Sequence, residues 1–183
     1  MEPFALLASL TCRLIVAPAS AWHELIAVPD EALPRPALHV AAVAGLIALA
    51  TAILTAAHSG SDFGGVLRST LAAIGGGVGA GALAVTFVPS LLTSEETEKK
   101  RLARYASLTA LPLSTVGLVS LLPRSVPIPL AIAALSGIAY RSGSIGAHTF
   151  LGLTGPRMVR AARVTTLVSA LPPLLAALLC ASR

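Results

Sequence analysis

The sequence predicts an all-α fold: a polytopic membrane helix bundle with five transmembrane helices and a short amphipathic N-terminal helical segment. Three observations predict it. Hydrophobic residues make up 55% of the 183 residues and charged ones only 11%, where soluble domains carry about 25% charged residues. The mean hydropathy is +0.84. The apolar residues are gathered into runs of about 20, the helical length that a bilayer core of about 30 Å requires, and all eight Asp and Glu lie outside those runs.

Residues 1–37 form the N-terminal segment, apolar but broken by Pro3, Pro18, Pro29, Pro34 and Pro36. A proline sits in the first turn of a helix or stops one before it, so helices are expected over Phe4–Val16 and Ala19–Val28, with an extended linker to Pro36. Trp22, Leu25, Ile26 and Val28 lie beside His23 and Glu24 in the second of these. A Trp on a short amphipathic helix suits the membrane–water interface. Residues 38–182 form the membrane domain, with spans over Leu38–Ala57, Leu71–Leu92, Tyr105–Leu122, Val126–Phe150 and Val164–Ser182.

Basic residues orient the chain. With the N-terminus in the cytoplasm, ten of the 13 Lys and Arg fall on the cytoplasmic side, and only Arg68, Arg124 and Arg183 fall opposite. Cytoplasmic loops are the ones enriched in Lys and Arg. The expected localisation is multi-pass in the cytoplasmic (inner) membrane, with the C-terminus outside. The pI of about 10.0 raises nucleic acid as a partner, but a nucleic-acid binder needs a clustered basic face. These charges occupy short loops and aromatic residues make up only 4% of the chain. The start Met1-Glu2-Pro3 is acidic and lacks the basic region of a secretory signal. Cys12 and Cys180 fall on opposite sides of the bilayer and are not expected to pair.

Within the second span, Gly75/Gly79 and Gly77/Gly81 are G-x-x-x-G pairs. In lipid, small residues that let backbones approach govern helix packing, so these glycines are the helix-packing candidates, against another copy or against the same chain. Prolines interrupt three spans at Pro89, Pro112 and Pro172-Pro173. Thr86, Thr109, Ser114 and Ser169 are expected to satisfy the carbonyls they free. The loop from Ser94 carries Glu95, Glu96 and Glu98, then Lys99, Lys100, Arg101 and Arg104. Thr93 or Ser94 is the expected cap and Glu96–Lys100 the expected i,i+4 pair. The four cations and Trp22 are candidates for contact with anionic lipid or an acidic partner. Arg141 is a cation inside an apolar stretch, and with His148 it marks a candidate intramembrane polar site. Snorkelling to the headgroups is the other reading of Arg141. No metal-ligand spacing or catalytic triad pattern is found, so no metal, no cofactor and no enzyme activity is expected.

Three stretches carry a family resemblance: Arg13-Leu14-Ile15-Val16-Ala17-Pro18-Ala19-Ser20-Ala21-Trp22, then Arg101-Leu102-Ala103-Arg104-Tyr105 with Leu108-Thr109-Ala110-Leu111-Pro112, and Ser142-Gly143 through Gly152-Leu153-Thr154-Gly155-Pro156-Arg157. Their order and the number of spans resemble the Yip (Ypt-interacting protein) family of five-span membrane proteins, in its prokaryotic branch. The resemblance implies a cytoplasmic N-terminus and an integral membrane role. The Asp-Leu-Tyr-Gly-Pro signature of eukaryotic members is absent, and their GTPase binding is not carried over. The expected function is non-catalytic organisation of membranes or membrane-protein complexes, with lipids and other membrane proteins or a second copy as partners. The alternative is a small transporter or channel with a site at the proline-broken spans near Arg141.

Overall fold

Proline opens most of the helices in the first half of the chain. The first two helices are α1 (Pro3–Val16) and α2 (Pro18–Ala27), and the third is α3 (Pro36–Ser59). Each begins on the proline itself, one or two residues before the sequence-based boundary. Proline at the first helical position loses an N–H that has no intrahelical partner anyway, and its φ is already helical. Four more helices follow: α4 (Phe63–Leu92), α5 (Glu96–Ser114), α6 (Ile128–Thr149) and α7 (Gly155–Ala181). The structure, a computed structural model, describes residues 3–27, 36–59, 63–116 and 128–181. Among these residues it is all-α, with no strand. The expected linker over Asp30–Pro34, the stretch Gly117–Leu122 of the third span, the start of the fourth before Ile128, and Arg35, Arg124 and Arg183 lie outside the described residues.

Two helices start well before their expected boundaries. α4 begins at Phe63 rather than Leu71, and α7 at Gly155 rather than Val164. Phe63–Thr70 and Met158–Arg163 contain no proline, Gly64 and Gly65 sit in the first turn of α4, and arginines propagate a helix well. At 30 residues, α4 is about 45 Å long. Among the described residues, two segments are long and apolar enough to cross a membrane, Ile74–Leu92 of α4 and Gly155–Leu178 of α7. The apolar stretch Ala41–Leu54 of α3 is shorter. α5 carries its charges in its first half, and α6 turns polar from Tyr140 onward.

The helices pack as antiparallel neighbours. α4 lies against α3, α5 and α7, and α6 lies against α5 and α7. α5 runs through the middle, with every residue from Tyr105 to Ser114 buried. Where the long helices meet, the interior is rich in small and hydroxylated side chains: Ala44, Ala48, Thr51, Ala80, Ala84, Ala110, Ala139, Ala162, Thr165 and Ser169 are all buried, beside Leu111 and Leu113 of α5. The exterior is built from large ones: Leu46, Leu49, Ile53, Leu71, Phe87, Leu91, Leu130, Leu167, Leu171, Leu175 and Leu178 are all exposed. Core hydroxyls donate to carbonyls of their own helices, Thr51 to Ile47 O at 2.8 Å, Thr165 to Ala161 O at 2.8 Å and Ser169 to Thr165 O at 2.7 Å.

The expected repair of the proline breaks takes another form. Ser114 Oγ donates to Leu111 O at 2.7 Å, and Ser90 Oγ to Thr86 O at 3.4 Å. These carbonyls lie one turn behind each hydroxyl; a proline frees the carbonyl four residues before it, which for Pro112 is Leu108. Pro172 and Pro173 serve packing instead. A Cβ on Gly79 would lie 2.8 Å from Pro172 Cβ, and one on Gly76 would lie 3.4 Å from Pro173 Cα. The proline rings of α7 thus fill the space that glycines leave on α4.

Candidate functional site

One end of the bundle collects the polar chemistry. The α4–α5 connection, the α6–α7 connection and the helix pair α1–α2 meet there around one apolar cluster. Leu14, Trp22, Leu25, Leu102, Tyr105 and Phe150 are buried together in it. Of the described Lys and Arg, Arg68 alone sits toward the other end of α4.

Trp22 departs from its expected position. It is fully buried, so its ring touches neither lipid nor a partner. The cause is a socket on α6. Gly146 leaves a gap that the indole fills so closely that a Cβ there would stand 2.4 Å from the ring. The indole N–H donates to Ser142 Oγ at 3.1 Å, and the Tyr105 and Phe150 rings lie 5.9 and 5.8 Å away, both tilted. Tyr105 in turn donates its hydroxyl to Gly143 O at 2.9 Å. Desolvating an indole leaves its N–H in need of an acceptor, and Ser142 supplies one. Toward solvent, Arg13 of α1 makes a two-pronged salt bridge to Glu24 of α2. The hydrogen bonds from Arg13 hold the Glu24 carboxyl below its ordinary range.

The basic residues of the α4–α5 loop divide. The helix cap is Glu95, with no side-chain cap bond. Thr93 Oγ1 instead accepts the Glu95 N–H at 3.2 Å and donates to Glu98 at 2.7 Å. Lys99 pairs with Glu96 at 3.0 Å, an i,i+3 contact in place of the expected Glu96–Lys100 pair. Lys100 is exposed and Arg104 half-buried. Arg101 reaches across to the α6–α7 turn, donating to Phe150 O at 2.5 Å with its guanidinium 5.6 Å over the Phe150 ring. That turn is shaped by Gly152 (φ 69°) and Gly155 (φ 57°), a left-handed geometry that glycine adopts without penalty.

The reach of Arg101 creates a cavity of about 400 Å³ between the two connections. Arg101, Arg157 and Arg160 line it with Glu98, over a floor of Leu92, Leu102, Leu151, Leu153 and Ala161. Sequence reasoning assigned Arg157 and Arg160 only to orientation. Their i,i+3 spacing, which puts both on one helix face, was the available signal. Ser142, Gly146 and Phe150 likewise carry the i, i+4, i+8 helical spacing of the Trp22 socket.

Arg141 and His148 do not converge on an enclosed space. Both are exposed on the outer face of α6, and the His148 Nδ1–H donates to Leu153 O at 3.2 Å, tying down the turn. The predicted glycines also divide. Gly77 faces Ser114 O and Ala44, Gly79 faces Pro172, Gly81 is buried, and Gly75 is exposed with nothing within 4 Å. Comparison of the chain with protein-family models, curated proteins and solved structures finds no match.

Proposed function

We propose that this chain is a five-span integral membrane protein, with α3 to α7 as its spans, that organises membranes or membrane-protein complexes without catalysis. The observation that carries the reading is the inverted distribution of side-chain size. Large apolar side chains face outward along α3, α4 and α7 while alanines, threonines and serines are buried where these helices meet. Water would penalise that arrangement, because contiguous exposed apolar surface is rare on soluble monomers. Lipid removes the penalty, and small residues then improve helix packing. The self-bonded hydroxyls of the core fit the same solvent, since unsatisfied polar groups are costly there.

The end that gathers α1, α2 and the basic connections is the cytoplasmic end on this reading. α2 packs beside Ser142–Phe150, so the headgroup level falls near the C-terminal third of α6. Arg141 is exposed just below that level, within reach of the headgroups by its own stem. The order of motifs resembling the Yip family fits this arrangement, with Trp22 and Gly143–Gly152 brought into one cluster.

Reporter fusions after Leu92, Leu122, Gly155 and Arg183 test the topology. Cytoplasmic signals are expected at Leu92 and Gly155 and external ones at Leu122 and Arg183; a cytoplasmic report from Arg183 overturns the odd span number. Crosslinking in native membranes tests the organising role. The absence of both self-association and a recovered membrane partner would count against it.

A further inference from the structure

We infer that the cavity between the α4–α5 and α6–α7 connections holds the phosphate headgroup of an anionic phospholipid. Arg101, Arg157 and Arg160 would face the phosphate, and Leu92, Leu102 and Leu153 the start of its acyl chains. This rests on the membrane reading above. Three cations and one carboxylate line the cavity. The carboxylate, Glu98, accepts a hydrogen bond from Thr93, and among the described residues neither Arg157 nor Arg160 has a salt-bridge partner. Both arginines occupy the first two turns of α7, where the helix dipole disfavours cations. Both are exposed, so their guanidinium groups are free to take an external anion.

The surroundings favour a lipid over a free anion or an acidic protein segment. The uncharged residues that line the cavity are all apolar. The cavity also lies where the two membrane-length segments, Ile74–Leu92 and Gly155–Leu178, meet the basic end. Two further depressions adjoin it, one sharing Leu92 and carrying Lys99, the other sharing Arg160 and carrying Arg163. Arg101 is fixed in place by Phe150, so one guanidinium is held ready and only two need to close. Basic pockets between membrane helices on the cytoplasmic side are the pattern that takes anionic headgroups.

The test titrates phosphatidylglycerol and phosphatidylcholine into the detergent-solubilised full-length chain and counts bound lipid by native mass spectrometry. A cation near an anionic lipid contributes about fivefold in affinity, so Arg157→Gln/Arg160→Gln is expected to weaken phosphatidylglycerol binding about thirtyfold. Arg68→Gln, toward the other end of α4, is expected to leave it unchanged, and phosphatidylcholine is expected to bind weakly throughout. Trp22 fluorescence checks folding; if the double variant loses that signal, the single variants are used, each about fivefold weaker. Equal binding of the two lipids, or an equal loss with Arg68→Gln, overturns the inference. So does displacement of phosphatidylglycerol by equimolar inorganic phosphate or an acidic peptide, which would assign the cavity to a free anion or a protein segment. A chain that stays monodisperse without detergent ends the membrane reading itself. One that enters phosphatidylglycerol nanodiscs but shows no lipid preference ends only this inference.

Discussion

Trp22 is the one tryptophan of the chain, so its emission reports a single contact. Gly146→Val is expected to expel the indole from its socket, since even a Cβ would overlap the ring at 2.4 Å. A red-shifted, quencher-accessible spectrum is the expected outcome, with a loss of about 1–3 kcal/mol, the usual cost of overpacking. Unchanged blue emission would show that the socket relaxes. The Arg13–Glu24 pair supplies a pH handle on the same contact. Glu24 titrates below its ordinary value of about 4.3, because Arg13 bonds its ionised form. The pair's contribution is therefore complete above the ordinary value and fades as pH falls through the lowered one. Glu24→Gln is expected to flatten that acid limb in a Trp22 emission titration; an identical limb would assign it to another group.

At the scale of elements, α4 and α7 meet through Gly79 and Pro172. Gly79→Ala would place a Cβ 2.8 Å from a rigid ring carbon and is expected to destabilise the bundle by about 1–3 kcal/mol. Gly75→Ala, with open space around it, is expected to be neutral or stabilising, as alanine exceeds glycine in helix propensity by about 1 kcal/mol. Thermal unfolding in detergent separates the two; equal effects would mean that the proline rings yield. The existence and order of these helices were legible in the sequence because hydrophobic run length and proline placement are local signals. The division of the glycines was not. Gly75, Gly77 and Gly79 read alike along the chain, and only the rotation of α4 between α5 and α7 sends Gly77 and Gly79 inward and Gly75 outward. Trp22 was misread for a related reason. Its amphipathic setting is common to an interfacial anchor and a core residue, and the deciding partner, Gly146, lies 124 positions away.

Across the whole molecule, the outward-facing leucines give the sharpest choice between solvents. Leu167 of α7 is 68% exposed. In water Leu167→Asp would cost little, since surface substitutions usually fall within about 0.5 kcal/mol. In a bilayer it is expected to oppose insertion by about 2.5–3.5 kcal/mol. A drop in the alkali-resistant membrane fraction of the variant is the expected result. Full accumulation of a folded, water-soluble variant would remove the basis of the five-span reading.

The proline rings on α7 and the glycine hollow on α4 impose an order on biosynthesis. The hollow leaves the ribosome more than sixty residues before its occupants. Until they arrive, the nascent chain presents an unfilled groove, which on the five-span reading lies inside the membrane. A translation product cut short before Pro172 keeps that groove open permanently, in the form that membrane chaperones and intramembrane proteases would meet on the same reading.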